Sequence, residues 1–263
     1  MKRTLAIITA ILVLLASGLY AFQDKLIFRA DKLDASHVFT FNQPFEEHFI
    51  STPDGQTLNV LWFKPESKSR GLVFYFHGNA NNLQRWGNYA EDMTRLGYEV
   101  VMMDYRGYGK STGTPSEQFL YDDASLVYQW VLTKTTPSRI IIYGRSLGTP
   151  VASKLAASVQ PEILILETPF DELKGAAPAY LQSFLSFFPL RYSFPTKDYL
   201  VHVKGKKLIF HGTNDRVVPL SSALRLRPLL KDGDEFIIIT NGNHRNLRSF
   251  GEYQLKLVEV LKK

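Results

Sequence analysis

The 263-residue sequence contains no cysteine. Disulfide bonds, thiolate nucleophiles, cysteine metal sites and an acylated-cysteine lipid anchor are therefore excluded, whatever compartment the protein occupies. The sequence also has no internal repeat, no low-complexity tract and no long basic run. Its 45% content of hydrophobic residues is instead typical of a globular protein that buries a core.

The chain has a modest excess of positive charge, with 31 basic and 25 acidic side chains and a net charge of +6. No nucleic-acid recognition motif accompanies these charges, so nucleic acid is not an expected partner. Attraction to an anionic membrane surface is the better explanation of a mild, dispersed positive charge.

The first segment, residues 1–23, carries the strongest apolar signal. Lys2 and Arg3 precede a stretch without charge, residues 4–23, which as a helix would span roughly 30 Å. Basic residues before an apolar run favour a cytoplasmic N-terminus, so we expect a single membrane anchor with the remaining chain on the periplasmic or extracytoplasmic side. Residues 16–18 (ASG) resemble a signal-peptidase site, and cleavage there would give a secreted protein. The apolar residues that follow favour an uncleaved anchor.

After a connecting segment, residues 24–44, the pattern of residues 45–263 predicts a single α/β domain. A turn signal at residues 53–55 (PDG) predicts an antiparallel hairpin. Six short apolar runs follow, and helical patterns occupy four of the five connections between them. This alternation predicts a mainly parallel sheet of about eight strands with helices on both faces. The runs are GLVFYFHG, YEVVMMDYRG, RIIIYGRS, EILILETP, KKLIFHGTND and DEFIIITNGNH.

The fifth connection, at about residues 169–200, differs from the others. Its stretch YLQSFLSFFPLRYSFP concentrates aromatic residues between prolines and predicts a small helical cap inserted above the sheet. Two interpretations stay open: the aromatic side chains line a cleft for acyl chains, or they pack the cap onto the body of the protein.

Residues 144–148 (GRSLG) fit the pattern Gly-x-Ser-x-Gly between a predicted strand and a predicted helix. Glycines remove Cβ atoms where the chain turns sharply, which lets the central serine stand exposed as a nucleophile. The alternative is that Ser146 only caps the following helix.

A nucleophilic serine needs a base within hydrogen-bond reach, and the base needs a carboxylate to orient it. His244 follows the last apolar run and Asp215 follows the preceding one. Ligands gather at the carboxyl ends of strands in an open α/β sheet, so Ser146, Asp215 and His244 form the expected catalytic set. Asp171 and Glu167 are alternatives to Asp215 as the acid.

Acyl transfer also requires donors for an oxyanion. The backbone N–H groups of Leu147, directly after the serine, and of Asn79, in FHGNANN, are the expected pair. His77 and His211 are interpreted as structural. No metal ion and no cofactor are needed for such chemistry.

Five blocks occur in the order FHGNAN, DYRGYGKSTGTPSE, YGRSLGT, HGTNDRVVP and GNH, and QDKLIF directly follows the apolar segment. Together they resemble the α/β-hydrolase superfamily, and within it the membrane-anchored serine hydrolases similar to Bem46, ABHD13 and ABHD17. The resemblance implies an α/β-hydrolase fold, with Ser146, Asp215 and His244 as nucleophile, acid and base, and DYRGYG as a structural loop beside the site. Thr149-Pro150 and Asn243 depart from the family pattern. Neither departure removes a reacting group, so they are expected to affect the shape of the pocket more than catalysis.

The expected function is that of a serine hydrolase acting on acyl esters or thioesters through an acyl-enzyme intermediate. Carboxylesterase, lysophospholipase and depalmitoylase activities all fit the resemblance, with a small or lipid-like acyl compound as substrate. The alternatives are a serine peptidase of the same fold and a catalytically silent, membrane-anchored binding module.

Overall fold

The computed structural model describes residues 2–4, 7, 14, 16–18, 20, 22–177, 180, 182, 185 and 190–262. The predicted anchor, residues 1–23, lies mostly outside the described residues, as does most of the cap between residues 178 and 189. Among the helices of the described residues, none is both long and apolar enough to cross a bilayer.

Within the described part of the chain, eight strands form one sheet in the order β1-β2-β4-β3-β5-β6-β7-β8. The first two strands and the pairing of β2 with β4 are antiparallel, and all the remaining pairings are parallel. The predicted mainly parallel sheet of about eight strands is confirmed. The strands are β1 Phe45–Ser51, β2 Thr57–Phe63, β3 Leu72–Phe76, β4 Glu99–Met103, β5 Ile140–Arg145, β6 Ile163–Glu167, β7 Lys206–Gly212 and β8 Glu235–Ile239.

The predicted hairpin forms the edge of the sheet. Ser51 at the end of β1 pairs with Thr57 at the start of β2. Gly55 in the connecting turn has a φ of +79°, a conformation that glycine adopts without the steric cost a side chain would add. This turn explains why the PDG signal joins two antiparallel strands.

The central strands are continuous apolar runs because both faces of the sheet are covered. Every residue of β3 is buried. Leu72, Phe74 and Phe76 belong to one hydrophobic layer, whereas Val73 and Tyr75 belong to the other. Alternation of side chains between two covered faces removes the polar positions that a half-exposed strand would show.

Helices cover both faces of the sheet, and each of the four connections where a helical pattern was predicted contains at least one helix. Helix α4, Glu117–Leu132, starts after Ser116, whose hydroxyl caps it by accepting a hydrogen bond from the N–H of Phe119. On the first of these connections the pattern of residues 83–96 predicts one helix, but the structure has two short helices separated by a 3₁₀ turn, where Gly87 packs against the ring of Phe41. The helices are α1 Gln23–Ile27, α2 Leu83–Trp86, α3 Glu91–Thr94, α4 Glu117–Leu132, α5 Gly148–Val159, α6 Thr196–Leu200, α7 Leu220–Leu224 and α8 Gly251–Lys262, with 3₁₀ turns Gly87–Tyr89, Leu173–Ala176, Arg227–Leu229 and Leu247–Ser249.

Two aromatic residues of the predicted cap are buried in the body of the protein. Tyr192 and Phe194 pack edge-on against Phe28, with ring centroids 5.3 Å and 6.2 Å away. The hydroxyl of Tyr192 also donates a hydrogen bond of 2.6 Å to Asp24. These two rings therefore pack the end of the cap against the segment that follows the predicted anchor, in agreement with the packing interpretation.

Candidate active site

Ser146 lies at the sharp turn between β5 and α5. Its φ is +50°, in the left-handed region that residues with a side chain rarely adopt. The serine is half-buried, directly at the carboxyl end of a central strand. Such local strain persists only where the surrounding packing over-determines the backbone.

That packing comes from the two glycines beside the serine. A Cβ at Gly148 would overlap the carbonyl oxygen of Phe76 and lie 2.6 Å from its carbonyl carbon. A Cβ at Gly144 would lie 2.5 Å from the carbonyl oxygen of Gly148 and 2.6 Å from Cβ of Ala152. Both glycines thus allow α5 to begin in contact with strands β3 and β5, and this close approach forces the turn at Ser146.

Three predicted residues meet at this turn. Asp215 lies in the loop after β7, and His244 lies in the loop after β8. Nε2 of His244 is 3.0 Å from Oγ of Ser146, and Nδ1 of His244 is 2.7 Å from Oδ2 of Asp215. The structure therefore brings a hydroxyl, an imidazole and a carboxylate into one hydrogen-bonded chain, which can carry a proton from Ser146 to His244.

Asp215 is held as an anion. Its other oxygen, Oδ1, accepts hydrogen bonds from the N–H groups of Val217 and Val218 at 2.9 Å and 2.8 Å. Burial acts to raise the pKa of Asp215, but the hydrogen bond with His244 and the amide of Val218 outweigh it and hold the pKa below its usual range. An ionised Asp215 accepts only, so Nδ1 of His244 carries the proton and Nε2 is free to accept from Ser146.

His211 lies behind Asp215 and was expected to be structural. Its Nε2 is 3.0 Å from the carbonyl oxygen of Val218 and 3.6 Å from Oδ2 of Asp215. Burial lowers the pKa of His211 and keeps its ring neutral. His211 thus supports the loop that holds Asp215, a contribution that the sequence pattern alone did not indicate.

The alternative acids are engaged elsewhere. Asp171 pairs with Arg225 at 2.6 Å and 2.8 Å. Oε2 of Glu167 accepts a hydrogen bond of 2.6 Å from the hydroxyl of Tyr143. Among the described contacts of His244, the carboxylate on Nδ1 is that of Asp215.

His77 is fully buried beneath the loop that follows β3. Its Nδ1 is 2.7 Å from the carbonyl oxygen of Gly78, and its Nε2 is 3.4 Å from Oδ1 of the buried Asp104. The ring stacks on Trp86 with centroids 5.8 Å apart. His77 is therefore a packing residue below the cleft, as expected.

Arg145, the second residue of the GRSLG motif, was not singled out from the sequence. Its side chain is 2% exposed, and its Nη2 donates a hydrogen bond of 2.8 Å to the backbone carbonyl of His244. Its Nε lies 3.4 Å from Oε1 of Glu167, and its guanidinium lies over the ring of Tyr89. Arg145 links the serine turn directly to the histidine loop. The sequence signal that could have indicated this role is a charged residue directly before the serine, at the end of an apolar run.

The expected oxyanion donors flank Ser146. Leu147 is buried at the start of α5, and Asn79 follows Gly78, where a Cβ would lie 3.5 Å from Cβ of Ser146. Within the described residues, neither the N–H of Asn79 nor that of Leu147 donates to a protein acceptor. Both N–H groups are thus available to an incoming oxygen, and their role as oxyanion donors stays a prediction.

Ser146 and His244 open into a cleft of about 160 Å³. Among the residues that the structure describes, four arginines line this cleft and no carboxylate does. The described residues also contain no group of three or more histidine or acidic side chains arranged to hold a metal ion. The lining residues are Arg29, Gly78, Asn79, Ala80, Arg85, Trp86, Arg145, Ser146, Val217, His244 and Arg245.

Comparison with known proteins shows that the chain is similar to hydrolases. The protein family described as "Serine aminopeptidase, S33" matches residues 67–194. A lysophosphatidylserine lipase ABHD12 of Danio rerio is 33% identical over 199 residues, which cover 67% of this chain and 52% of the lipase. The chain thus spans about half the length of these lipases. An uncharacterized protein of Mycobacterium tuberculosis is 28% identical over 258 residues, which cover 94% of this chain and 90% of that protein.

Solved structures show the same fold. An esterase of Pyrococcus furiosus superposes with a TM-score of 0.70 at 19% sequence identity, covering 90% of this chain and 97% of the esterase. An esterase of Exiguobacterium antarcticum gives a TM-score of 0.63 at 19% identity, with coverage of 83% and 100%. At this level of identity the likeness concerns the fold.

Replacing Asp215 should change how stability depends on pH. Because the pKa of Asp215 is lowered in the folded state, its ionised form stabilises the fold above the unfolded pKa of about 3.9, and this stabilisation is lost as pH falls through the folded pKa. We therefore expect Asp215→Asn to be less stable than wild type at pH 7 and to approach wild type in acid. Urea unfolding followed by circular dichroism between pH 3 and pH 7 measures both curves.

Asp232→Asn, which replaces an exposed carboxylate, is the control for this experiment and should follow the wild-type curve. A constant free-energy difference between Asp215→Asn and wild type across the whole pH range would contradict the expected contribution of the ionised carboxylate.

Proposed function

The chain belongs to the α/β-hydrolase superfamily of serine hydrolases, and we propose that it cleaves acyl esters or thioesters through an acyl-enzyme intermediate. The observation that carries the proposal is the hydrogen-bonded chain from Ser146 through His244 to Asp215, at 3.0 Å and 2.7 Å. The lipases and esterases among the similar proteins support ester bonds as the target.

In the proposed reaction, Oγ of Ser146 attacks the substrate carbonyl while Nε2 of His244 accepts the hydroxyl proton. Asp215 holds the imidazole in the required tautomer and stabilises the imidazolium that forms. The N–H groups of Asn79 and Leu147 donate to the oxyanion, each worth roughly 10²- to 10³-fold in rate. His244 then protonates the leaving group, and water, activated by the same imidazole, releases the acyl group from Ser146.

The charge of the cleft favours a substrate with an anionic group. Arg29, Arg85 and Arg245 are exposed at its edge, and none of them forms an ion pair with a carboxylate of the described chain. Guanidinium groups bind phosphate and carboxylate by charge-assisted hydrogen bonds. Lysophospholipids combine such a headgroup with a single acyl ester, and the lipase relatives are lipases of lysophosphatidylserine. We therefore propose anionic lysophospholipids as the substrate class.

A serine peptidase is the second candidate, because the matching family is described as serine aminopeptidases. The acyl-enzyme chemistry is the same for an amide, so the triad geometry does not separate the two activities. A panel of acyl esters of increasing chain length, assayed beside short peptide amides, distinguishes them. Faster turnover of the peptide amides would favour the peptidase.

Ser146→Ala should abolish covalent labelling by a fluorophosphonate probe and reduce esterase activity by about 10⁶-fold, to background, because the attacking oxygen is removed. Labelling is read on a gel, and activity is read with a chromogenic acyl ester. Ser158→Ala, which changes an exposed serine on the same helix, should behave as wild type. A wild-type protein that is not labelled would instead indicate a catalytically silent binding module.

Neutralising two cleft arginines should affect anionic substrates selectively. An exposed charge pair contributes about 0.2–1 kcal/mol, so the double variant Arg85→Gln/Arg245→Gln should lose roughly 2- to 30-fold in kcat/KM toward lysophosphatidylserine. Turnover of a monoacylglycerol with the same acyl chain should change little, and the difference should shrink in high salt. Lys68→Gln, remote from the cleft lining, is the control. Equal losses on both substrates would contradict the proposed headgroup recognition.

We also propose that residues 1–23 anchor the protein in a membrane, with the hydrolase domain on the periplasmic or extracytoplasmic side. The proposal is supported by Lys2 and Arg3, which precede an uncharged apolar stretch. An alkaline phosphatase fused to the C-terminus, which is active only outside the cytoplasm, should be active. The same fusion without residues 1–23 should be inactive. Activity of a cytoplasm-specific reporter on the full chain would contradict this orientation.

A further inference from the structure

The chain that leads out of the predicted anchor is bound to the side chain of Asn79. Nδ2 of Asn79 donates a hydrogen bond to the carbonyl oxygen of Ile27. The N–H of Arg29 donates to Oδ1 of the same asparagine at 2.9 Å. One side chain of the candidate oxyanion loop is therefore engaged at both of its ends by residues 27–29.

Two further donors converge on the same oxygen. The hydroxyl of Tyr108 donates to Oδ1 of Asn79 at 2.7 Å, and the N–H of Ala80 donates to it at 3.0 Å. Tyr108 belongs to the DYRGYG loop and is fully buried. The asparagine side chain thus joins three separate stretches of chain: the segment after the anchor, its own loop and the DYRGYG loop.

The contact extends along the whole of residues 27–33, which we call the junction strap. Ala30 forms a parallel bridge with Asn81, and Lys32 forms one with Gly109. The N–H of Gly109 donates to the carbonyl of Asp31 at 2.9 Å. The strap therefore lies between the two loops and binds each of them through the backbone.

The loop that the strap holds is strained. Ala80 and Asn81 have φ values of +69° and +62°, two consecutive residues with side chains in the left-handed region. Such a backbone persists only where its surroundings over-determine it. The strap supplies part of these surroundings, through the bridge between Ala30 and Asn81 and the two hydrogen bonds to the side chain of Asn79.

We propose that the junction strap is a positioning element of the active site, which holds the Asn79 loop so that the backbone N–H of Asn79 is placed to bind the oxyanion. This inference rests on the proposed hydrolase function. It assigns to the side chain of Asn79 a role distinct from that of its backbone: the side chain anchors the loop, and the N–H contacts the substrate. Catalysis then depends on the chain directly after the predicted anchor.

The test compares Arg29→Pro with Arg29→Ala in the full chain. Both variants lose the guanidinium, but only proline loses the N–H that donates to Asn79. Phe28 has a φ of −95° and a ψ of 107°, a conformation compatible with a following proline. On a neutral acyl ester we expect kcat of Arg29→Pro to fall about 10- to 100-fold below that of Arg29→Ala, with KM of the two within about twofold, since a misplaced donor loses part of an oxyanion contact.

A transition-state mimic separates positioning from general structural damage. A trifluoromethyl ketone forms an adduct with Ser146 whose oxygen occupies the oxyanion position, so its inhibition constant should rise in Arg29→Pro by about the same factor as kcat/KM falls. The thermal unfolding midpoints of the two variants should stay similar. Unchanged inhibitor affinity, or equal kcat in the two variants, would overturn the proposal.

Tyr108→Phe is the second variant, because it removes one donor to Asn79 and keeps the buried ring. We expect a loss of about 3- to 10-fold in kcat with a parallel loss of inhibitor affinity, a part of the cost of a whole oxyanion donor. Should Arg29→Pro not fold, wild-type values for Tyr108→Phe would overturn the proposal. Failure of the hydrolase function itself is distinguished by the absence of fluorophosphonate labelling in wild type.

Discussion

The close approach of helix α5 to strand β3 is the constraint on which the site depends. Gly148 has no side chain and rests against the carbonyl of Phe76, which fixes where α5 begins. Two residues connect the fixed end of β5 to the fixed start of α5, and the first of them, Ser146, makes the turn with a φ of +50°. The hydroxyl of Ser146 consequently lies at the carboxyl end of β5, close to Asp215 and His244 in the loops after β7 and β8.

The electrostatic part of the site is built outward from this turn. Asp215 is ionised because two amides and an imidazole compensate its burial. Its charge selects the tautomer of His244, and that tautomer leaves Nε2 able to accept from Ser146. Four arginines among the described residues line the cleft beside Ser146 and His244, and the proposed anionic substrate group would bind to these charges. The fold of the serine turn and the protonation state of the triad are therefore linked.

The sequence predicted those features that depend on local pattern. Continuous apolar runs predicted the parallel sheet, and GRSLG predicted the turn, because glycine spacing and strand periodicity are short-range properties. Arg145 binds the carbonyl of a residue 99 positions away, and Arg29 binds a side chain 50 positions away. No periodicity encodes such contacts, so their roles emerged only with the folded chain. For the same reason the sequence did not decide between the two interpretations of the aromatic cap, because Tyr192 and Phe28 are distant in the sequence and come into contact only in the folded chain.

The buried ion pair of Arg145 and Glu167 restricts how these two positions can change in evolution. Arg145 and Glu167 are 2% and 1% exposed and lie 3.4 Å apart, so each is the nearest counter-charge of the other in a water-poor environment. Removal of one member of such a pair leaves an uncompensated ion, at a cost of about 3–5 kcal/mol. Related sequences that keep this fold should therefore change the two residues together. Where a neutral residue replaces Arg145, a neutral residue should also replace Glu167.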